Sequence, residues 1–251
     1  MAGFAWDQVL PFVAVGFLAQ LVDGALGMAF GLINSTLMVS LLGVSPAAAS
    51  ASIHAVEAFT TAASGASHIA HRNVDWRLLR RLVLPGILGG VLGAGLLVSI
   101  DASVARPFVM AYLAAIGLYL LFRAWQGTPE PRAPRVIAPL GLVGGFLDAA
   151  GGGGWGPVVT SNLLLQGADP RRTIGTVNTA EFFLTATVSA TFLVTMGPAA
   201  FTLAAIGVLI GGLLAAPLGG VLAKRVPARP LMALVGLLLT ATSAYTIWRS
   251  W

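Results

Sequence analysis

The stretch that most constrains this chain is Asp148-Ala149-Ala150-Gly151-Gly152-Gly153-Gly154-Trp155-Gly156-Pro157, set in an otherwise apolar segment from about 139 to 165. Four consecutive glycines do not make a helix interior, because each costs roughly 1 kcal/mol relative to alanine there. Pro157 suits the first turn of a new helix, where a missing N–H costs little. The pattern predicts two half-helices around an unwound centre. At membrane depth such a centre is tolerated only where it is buried in protein or lines a polar cavity. Half-helix N-termini also present partial positive charge to whatever lies beside them. A ligand site is therefore expected. A close-packing glycine face is the structural alternative, but Asp148 is expensive in a purely packed interface.

The membrane context follows from composition. Of the 251 residues, 57% are hydrophobic and 9% charged, and the mean hydropathy is +0.88. Apolar runs of spanning length recur throughout, so the chain reads as a polytopic membrane protein with essentially no soluble domain. The N-terminus has no basic n-region, so no cleavable signal peptide is expected. The absence of cysteine excludes disulfides and thiolate metal sites. The chain carries no GxxxxGK(S/T) loop for a nucleotide, no HExxH and no GxSxG elbow. No enzyme activity, nucleic-acid partner or cofactor is expected.

Apolar segments fall near 8–43, 46–70, 79–100, 104–123, 137–166, 172–196, 199–222 and 228–248. The two halves align at an offset of about 124. Leu21-Val22-Asp23-Gly24 matches Phe146-Leu147-Asp148-Ala149, and Gly27, Phe30 and Gly31 match Gly152, Trp155 and Gly156. After one dropped residue, Pro46 falls on Pro170, and the run Ser52, His54, Glu57 falls on Thr176, Asn178, Glu181. Gly89-Gly90 pairs with Gly211-Gly212. This gives a first repeat over 1–125, a polar proline-bearing cytoplasmic linker over 126–135, and a second repeat over 136–251.

The basic residues set a topology. If every segment spanned once, the basic loops of the two halves would lie on opposite sides, against the positive-inside rule. If segments one and five each enter and leave on the same side, twelve of the fourteen Lys and Arg residues are cytoplasmic, leaving Arg106 and Arg249. Those segments are either re-entrant or a pair of short crossings. The expected fold is an all-α polytopic protein of two inverted repeats. Each has a broken or re-entrant glycine-rich helix plus three transmembrane helices, the standard build of secondary transporters with a midplane site.

Few ionisable groups remain at membrane depth: Asp23, Asp148, His54, Glu57 and Glu181, with His68 nearer an end. A carboxylate in hydrocarbon is costly unless paired, hydrated or protonated, so each is a functional candidate. His54 and Glu57 share a helix face at i, i+3, and Asn178 and Glu181 repeat that geometry. Glu57 and Glu181 suit proton carriers with His54 as partner. His54 also reads as a satisfied structural group. Asp23 and Asp148 either cap the half-helices after the glycines or belong to the site. Gly27, Gly31, Gly152, Gly153, Gly154, Trp155, Ser52, Thr176 and Asn178 are the candidate substrate contacts. The hydroxyls, with Ser35, Thr160 and Ser161, either bind an oxyanion or bond their own helix backbone. Trp155 either lines the site or fills a void beside the glycines. Gly86, Gly89, Gly90, Gly93, Gly95, Gly207, Gly211, Gly212, Gly219 and Gly220 read as helix-packing stripes.

At these residues the chain resembles the TauE/SafE family of sulfite exporters, also described as anion permeases. The residues 151–157, 163–170 and 175–189 look like that family's second-repeat signature, and the resemblance covers nearly the whole chain. The first repeat departs from it, with fewer glycines and Leu32 where the second has Pro157. The resemblance implies a small sulfur-containing anion as substrate, sulfite or a sulfonate, often exported across the cell membrane. No intramembrane Arg or Lys stands ready for an anion, so backbone amides and protonated glutamates would have to serve. A rival reading uses His54, Glu57 and Glu181 as N/O ligands to a divalent metal or other cation.

Overall fold

In the computed structural model, which describes residues 6–126, 132–198, 202–218, 221 and 228–249, every apolar run folds as helix. The first half comprises α1 (Trp6–Leu26), α2 (Phe30–Ser40), α3 (Pro46–Ala70), α4 (Trp76–Ser99) and α5 (Ala102–Trp125). The second comprises α6 (Ala138–Gly151), α7 (a π turn over Gly156–Thr160 running into Ser161–Leu165) and α8 (Pro170–Met196). It continues with α9 (Leu203–Ala215, closed by a 3-10 turn over Ala216–Leu218) and α10 (Ala228–Arg249). No strand occurs among the described residues. The linker residues 127–131, Lys224, Arg225, Gly219 and Gly220 lie outside the described residues.

Among the described residues, four helices are long and apolar enough to cross a membrane: α1 over Val9–Leu26, α4, α5 and α8. The broken segment of the second half starts and ends at the same end of the molecule. Its α6 has 14 residues, about 21 Å at ~1.5 Å per residue, short of the roughly 30 Å hydrocarbon core. The end of α7 returns to the start of α6. Arg132 N–H donates to the Gly167 carbonyl at 2.8 Å, and the Gln166 side-chain amide donates through Nε2 to the Val136 carbonyl at 3.1 Å.

The packing exchanges the halves. Helix α4 packs on α6 and α1 on α9, while α3 meets α8 and α5 meets α10. Glycines set these distances: a Cβ at Gly89 would stand 2.0 Å from the Leu142 carbonyl oxygen, and one at Gly211 1.9 Å from that of Val13. The stripes therefore pack backbone on backbone, as expected. Their register is shifted by about a turn from the sequence alignment. Gly86 receives the Trp155 indole and Gly212 the Phe30 ring, so Gly86 is the counterpart of Gly212.

Equivalent helices meet antiparallel. Thr61 and Thr185, in matching positions, bring their hydroxyls to 3.5 Å. One turn further along α3, and further back along α8, Gly65 faces Thr179, and Ser64 donates to the Asn178 side-chain oxygen at 3.1 Å. In α5 and α10, Gly117 packs on Thr240 and Leu121 on Gly236. Arg106, the cation that the topology leaves on the less basic side, closes the α2–α3 turn by donating to the Gly43 carbonyl at 2.6 Å.

Candidate functional site

The unwound residues after α6 wrap a single side chain. Gly152 N–H and Gly153 N–H donate to the Asp148 carbonyl, the latter at 3.0 Å. Gly154 N–H and Trp155 N–H donate to Asp148 Oδ1 at 2.8 and 2.9 Å. Glycine is required here by conformation: φ is +71° at Gly152 and +141° at Gly153. Asp148 thus caps the half-helix α7, and the amides expected to face an anion are already filled by the chain's own carboxylate.

The other oxygen of that carboxylate reaches across to α3. Asp148 Oδ2 lies 3.0 Å from His54 Nε2, and both residues are buried. His54 Nδ1 is 2.7 Å from the Ser50 carbonyl, which fixes the ring through its own helix. Ser50 Oγ donates to the Ala149 carbonyl at 2.7 Å, a second tie between α3 and the break. The Phe192 ring stands beside the imidazole, with centroids 6.2 Å apart.

Glu57 lies one turn further along α3. Its carboxylate faces the Gly31 N–H, with Oε1 2.9 Å from where a Cβ at Gly31 would stand. Its Oε2 is buried with no hydrogen-bond partner among the described residues. One ligand atom each from His54, Glu57 and Asp148 lies within 4.8 Å of the others. Asp23 faces the Phe30 N–H at the first break, the position matching Trp155. Glu181 lies within electrostatic reach of Asp23, Glu57 and Asp148. The structure therefore brings the five deep ionisable groups to one place between the halves.

The two breaks also hold each other. Ser35 Oγ donates to the Gly152 carbonyl, and Thr160 Oγ1 donates to the Gly27 carbonyl at 2.9 Å. Ser35 matches Thr160 and Gly27 matches Gly152, so one tie is made twice. Gly27 shares the left-handed backbone, with φ +65°. A Cβ at Gly31 would stand 3.3 Å from Gly153 Cα, and one at Gly156 would stand 2.4 Å from Met28 Cα. Close approach of backbones is what glycine supplies at Gly31 and Gly156.

Other candidates lie away from the cluster. Ser52 and Thr176 are end ties: Ser52 Oγ accepts from Thr202 N–H at 2.9 Å, and Thr176 Oγ1 from Asp75 N–H at 2.8 Å. Each hydroxyl holds the start of a helix in the other half. Asn178 sits in the α3–α8 contact, bonded to Ser64. Trp155 is fully buried; its Nε1 donates to the Val177 carbonyl at 3.2 Å and its ring packs on Gly86 and Gly144. That is the void-filling role.

Tyr112 escaped the sequence reading. Its hydroxyl donates to the Gly153 carbonyl at 3.0 Å, and its ring covers Gly151 and Gly154. An apolar cavity of about 250 Å³ between α4 and α5 reaches Tyr112, Leu147 and Gly151. A tyrosine amid the apolar residues of α5 was the available signal, since a buried hydroxyl needs a partner.

Comparison with known proteins matches this architecture to a family. The family model described as "Sulfite exporter TauE/SafE" matches residues 12–246. A curated relative, "Probable membrane transporter protein YtnM" of Bacillus subtilis (strain 168), is 38% identical over 253 residues, covering 97% of this chain and 84% of the relative. No solved structure matches at a significant level. A family match across both broken helices and the buried cluster between them shows that the chain belongs to the TauE/SafE family of membrane transporters.

Proposed function

We propose that the chain is a secondary transporter that moves a small sulfur-containing anion, such as sulfite or an organosulfonate, in step with protons. The site lies between two inverted repeats in the cytoplasmic membrane. The family description supports the sulfur anion and names export as the direction; the combined gradients of anion and protons set the direction in practice. The antiparallel contacts of α3 with α8 and of α5 with α10 support the inversion.

The observation that carries the reading is the unpartnered Glu57 Oε2, on a buried carboxylate that has an oxygen within 4.8 Å of ligand atoms of the His54–Asp148 pair. An ionised carboxylate oxygen without a partner is costly in a dry interior, and a proton removes that cost. The same proton chemistry answers the missing cation. Asp148 holds the Gly154 and Trp155 amides only while its oxygen is a strong acceptor. A proton delivered through His54 weakens that hold, and an arriving oxyanion takes the two N–H groups in its place. Proton and anion then load together. Glu181 completes the carrier set from the second half.

One observation favours a second reading. The His54, Glu57 and Asp148 donors form an N/O set at a spacing that a divalent cation uses. Thermal unfolding of the detergent-purified protein separates the two. The panel is sulfite, sulfate, thiosulfate, taurine and divalent metals, at two pH values. A ligand that binds only the folded state raises the midpoint by mass action. A rise with one sulfur anion, larger at the lower pH, is expected. A rise with a metal alone would make His54, Glu57 and Asp148 its ligands and overturn the anion reading.

A further inference from the structure

A second cavity, of about 380 Å³, opens at the arginine-rich end, lined among others by Arg77, Arg81, Arg132 and Arg172 with Asp75 and Asp169. The four arginines come from three stretches of chain: the start of α4, the start of α8, and the segment that leads into α6. Both carboxylates are committed to helix ends. Asp75 Oδ1 accepts from Arg77 N–H at 2.9 Å and Leu78 N–H at 3.1 Å, and Asp169 Oδ1 from Arg172 N–H at 2.8 Å. Among the described residues, the guanidinium groups of Arg77, Arg81 and Arg172 make no hydrogen bond or ion pair.

The walls of this cavity are fixed. Arg132 N–H is bonded to the Gly167 carbonyl, Asp75 N–H to Thr176 Oγ1, and Val136 N–H to Gln166 Oε1 at 2.9 Å. The duplicated fold does not by itself demand charge here. Where the second half has Asp169, Pro170 and Arg172, the first half has Ser45, Pro46 and Ala48. Positive-inside bias places arginines at one end of a membrane protein. It does not gather four of them, from three stretches of chain, around one cavity.

We propose that this cavity is a binding site for a tetrahedral oxyanion group of the sulfate or phosphate type, gripped by Arg77, Arg81 and Arg172. Guanidinium presents paired donors that match two oxygens of such a group. The group is either a free anion or the phosphate of an anionic lipid at the membrane surface. The site is separate from the buried cluster, so it stands or falls independently of the transport reading.

The test uses the full chain in dodecyl maltoside, a detergent without phosphate, at low ionic strength. Isothermal titration with sodium sulfate reads the free anion. Native mass spectrometry with added phosphatidylglycerol reads the lipid. The double variant Arg81→Gln/Arg172→Gln should weaken one or both by about tenfold or more. If sulfate binds and phosphatidylglycerol does not compete, the source is the free anion; if only the lipid binds, it is the headgroup. The proposal fails if neither ligand binds, or if both bind the double variant as they bind the wild type. It also fails if sulfate binding survives in the double variant and is lost in Glu57→Gln, because the anion then sits in the buried cluster. An unchanged melting midpoint verifies that the double variant is folded, and Arg77→Gln alone serves if it is not.

Discussion

The two helix breaks are built to one plan with different materials. In the second half, Asp148 gathers four backbone amides, and glycine stands at every position where the backbone turns left-handed. In the first half, Asp23 takes two, its carboxylate facing the Phe30 N–H and its carbonyl accepting from Gly27 N–H at 2.6 Å, and the turn is made by Gly27 together with Ala29, whose φ of 104° is poor for a residue with a Cβ. The second break also carries the bond to His54. The contrast teaches that Asp148 is hydrogen-bonded into the buried cluster and into its own half-helix at once, whereas Asp23, in the same cluster, chiefly ends a helix. The cross-ties are nevertheless symmetric: Ser35 holds Gly152 as Thr160 holds Gly27. The halves share a scaffold and divide the chemistry.

The largest effect should come from Asp148→Ala. It leaves His54 Nε2 and two amides without their acceptor, so unfolding in mixed micelles should show a loss of about 3–5 kcal/mol, with no transport. Asp23→Ala should cost less, about 1–3 kcal/mol; equal losses would erase the distinction between the breaks. Gly153→Ala comes next. Its Cβ would meet the Leu32 backbone N at 2.6 Å with φ at +141°, so a cost of about 2–4 kcal/mol and loss of transport are expected. Ser52→Ala and Thr176→Ala should each lose about 1 kcal/mol and keep their substrate KM, since both hydroxyls tie helix ends. A raised KM in either would return that hydroxyl to the site. Ala29→Gly should be smallest and opposite in sign, a gain of up to about 1 kcal/mol with transport intact. A loss instead would mean that the Ala29 conformation is not strained.

Much of this was legible in the sequence. The glycine run marked the break because no helix tolerates it, and the repeated Asp, His and Glu positions marked the cluster because charge at membrane depth must be placed for a reason. Helices α3 and α8 begin at Pro46 and Pro170, within two residues of the apolar segments read there, and Ser45 and Asp169 cap them. What the sequence could not show was which partner each polar group would choose. Ser52 and Thr176 looked like site hydroxyls because they sit beside the motif. Their partners, Thr202 and Asp75, are 150 and 101 residues away. The same holds for the glycine amides. Their number and placement pointed to an anion, and the anion they hold in this structure is Asp148. Alignment by residue type also misplaced the α4 and α9 stripes, where any glycine resembles any other; only the ring each receives, Trp155 or Phe30, fixed the register.

The central claim is that protons and anion load together on a cluster in which Glu57 carries a proton. It is tested most directly in proteoliposomes with a pH-reporting dye inside and an imposed sulfite gradient. The wild type should move protons with sulfite in a fixed ratio, and Glu57→Gln should abolish the proton movement while the protein stays folded. Sulfite flux with no proton movement in the wild type, or unchanged proton movement in Glu57→Gln, would contradict it.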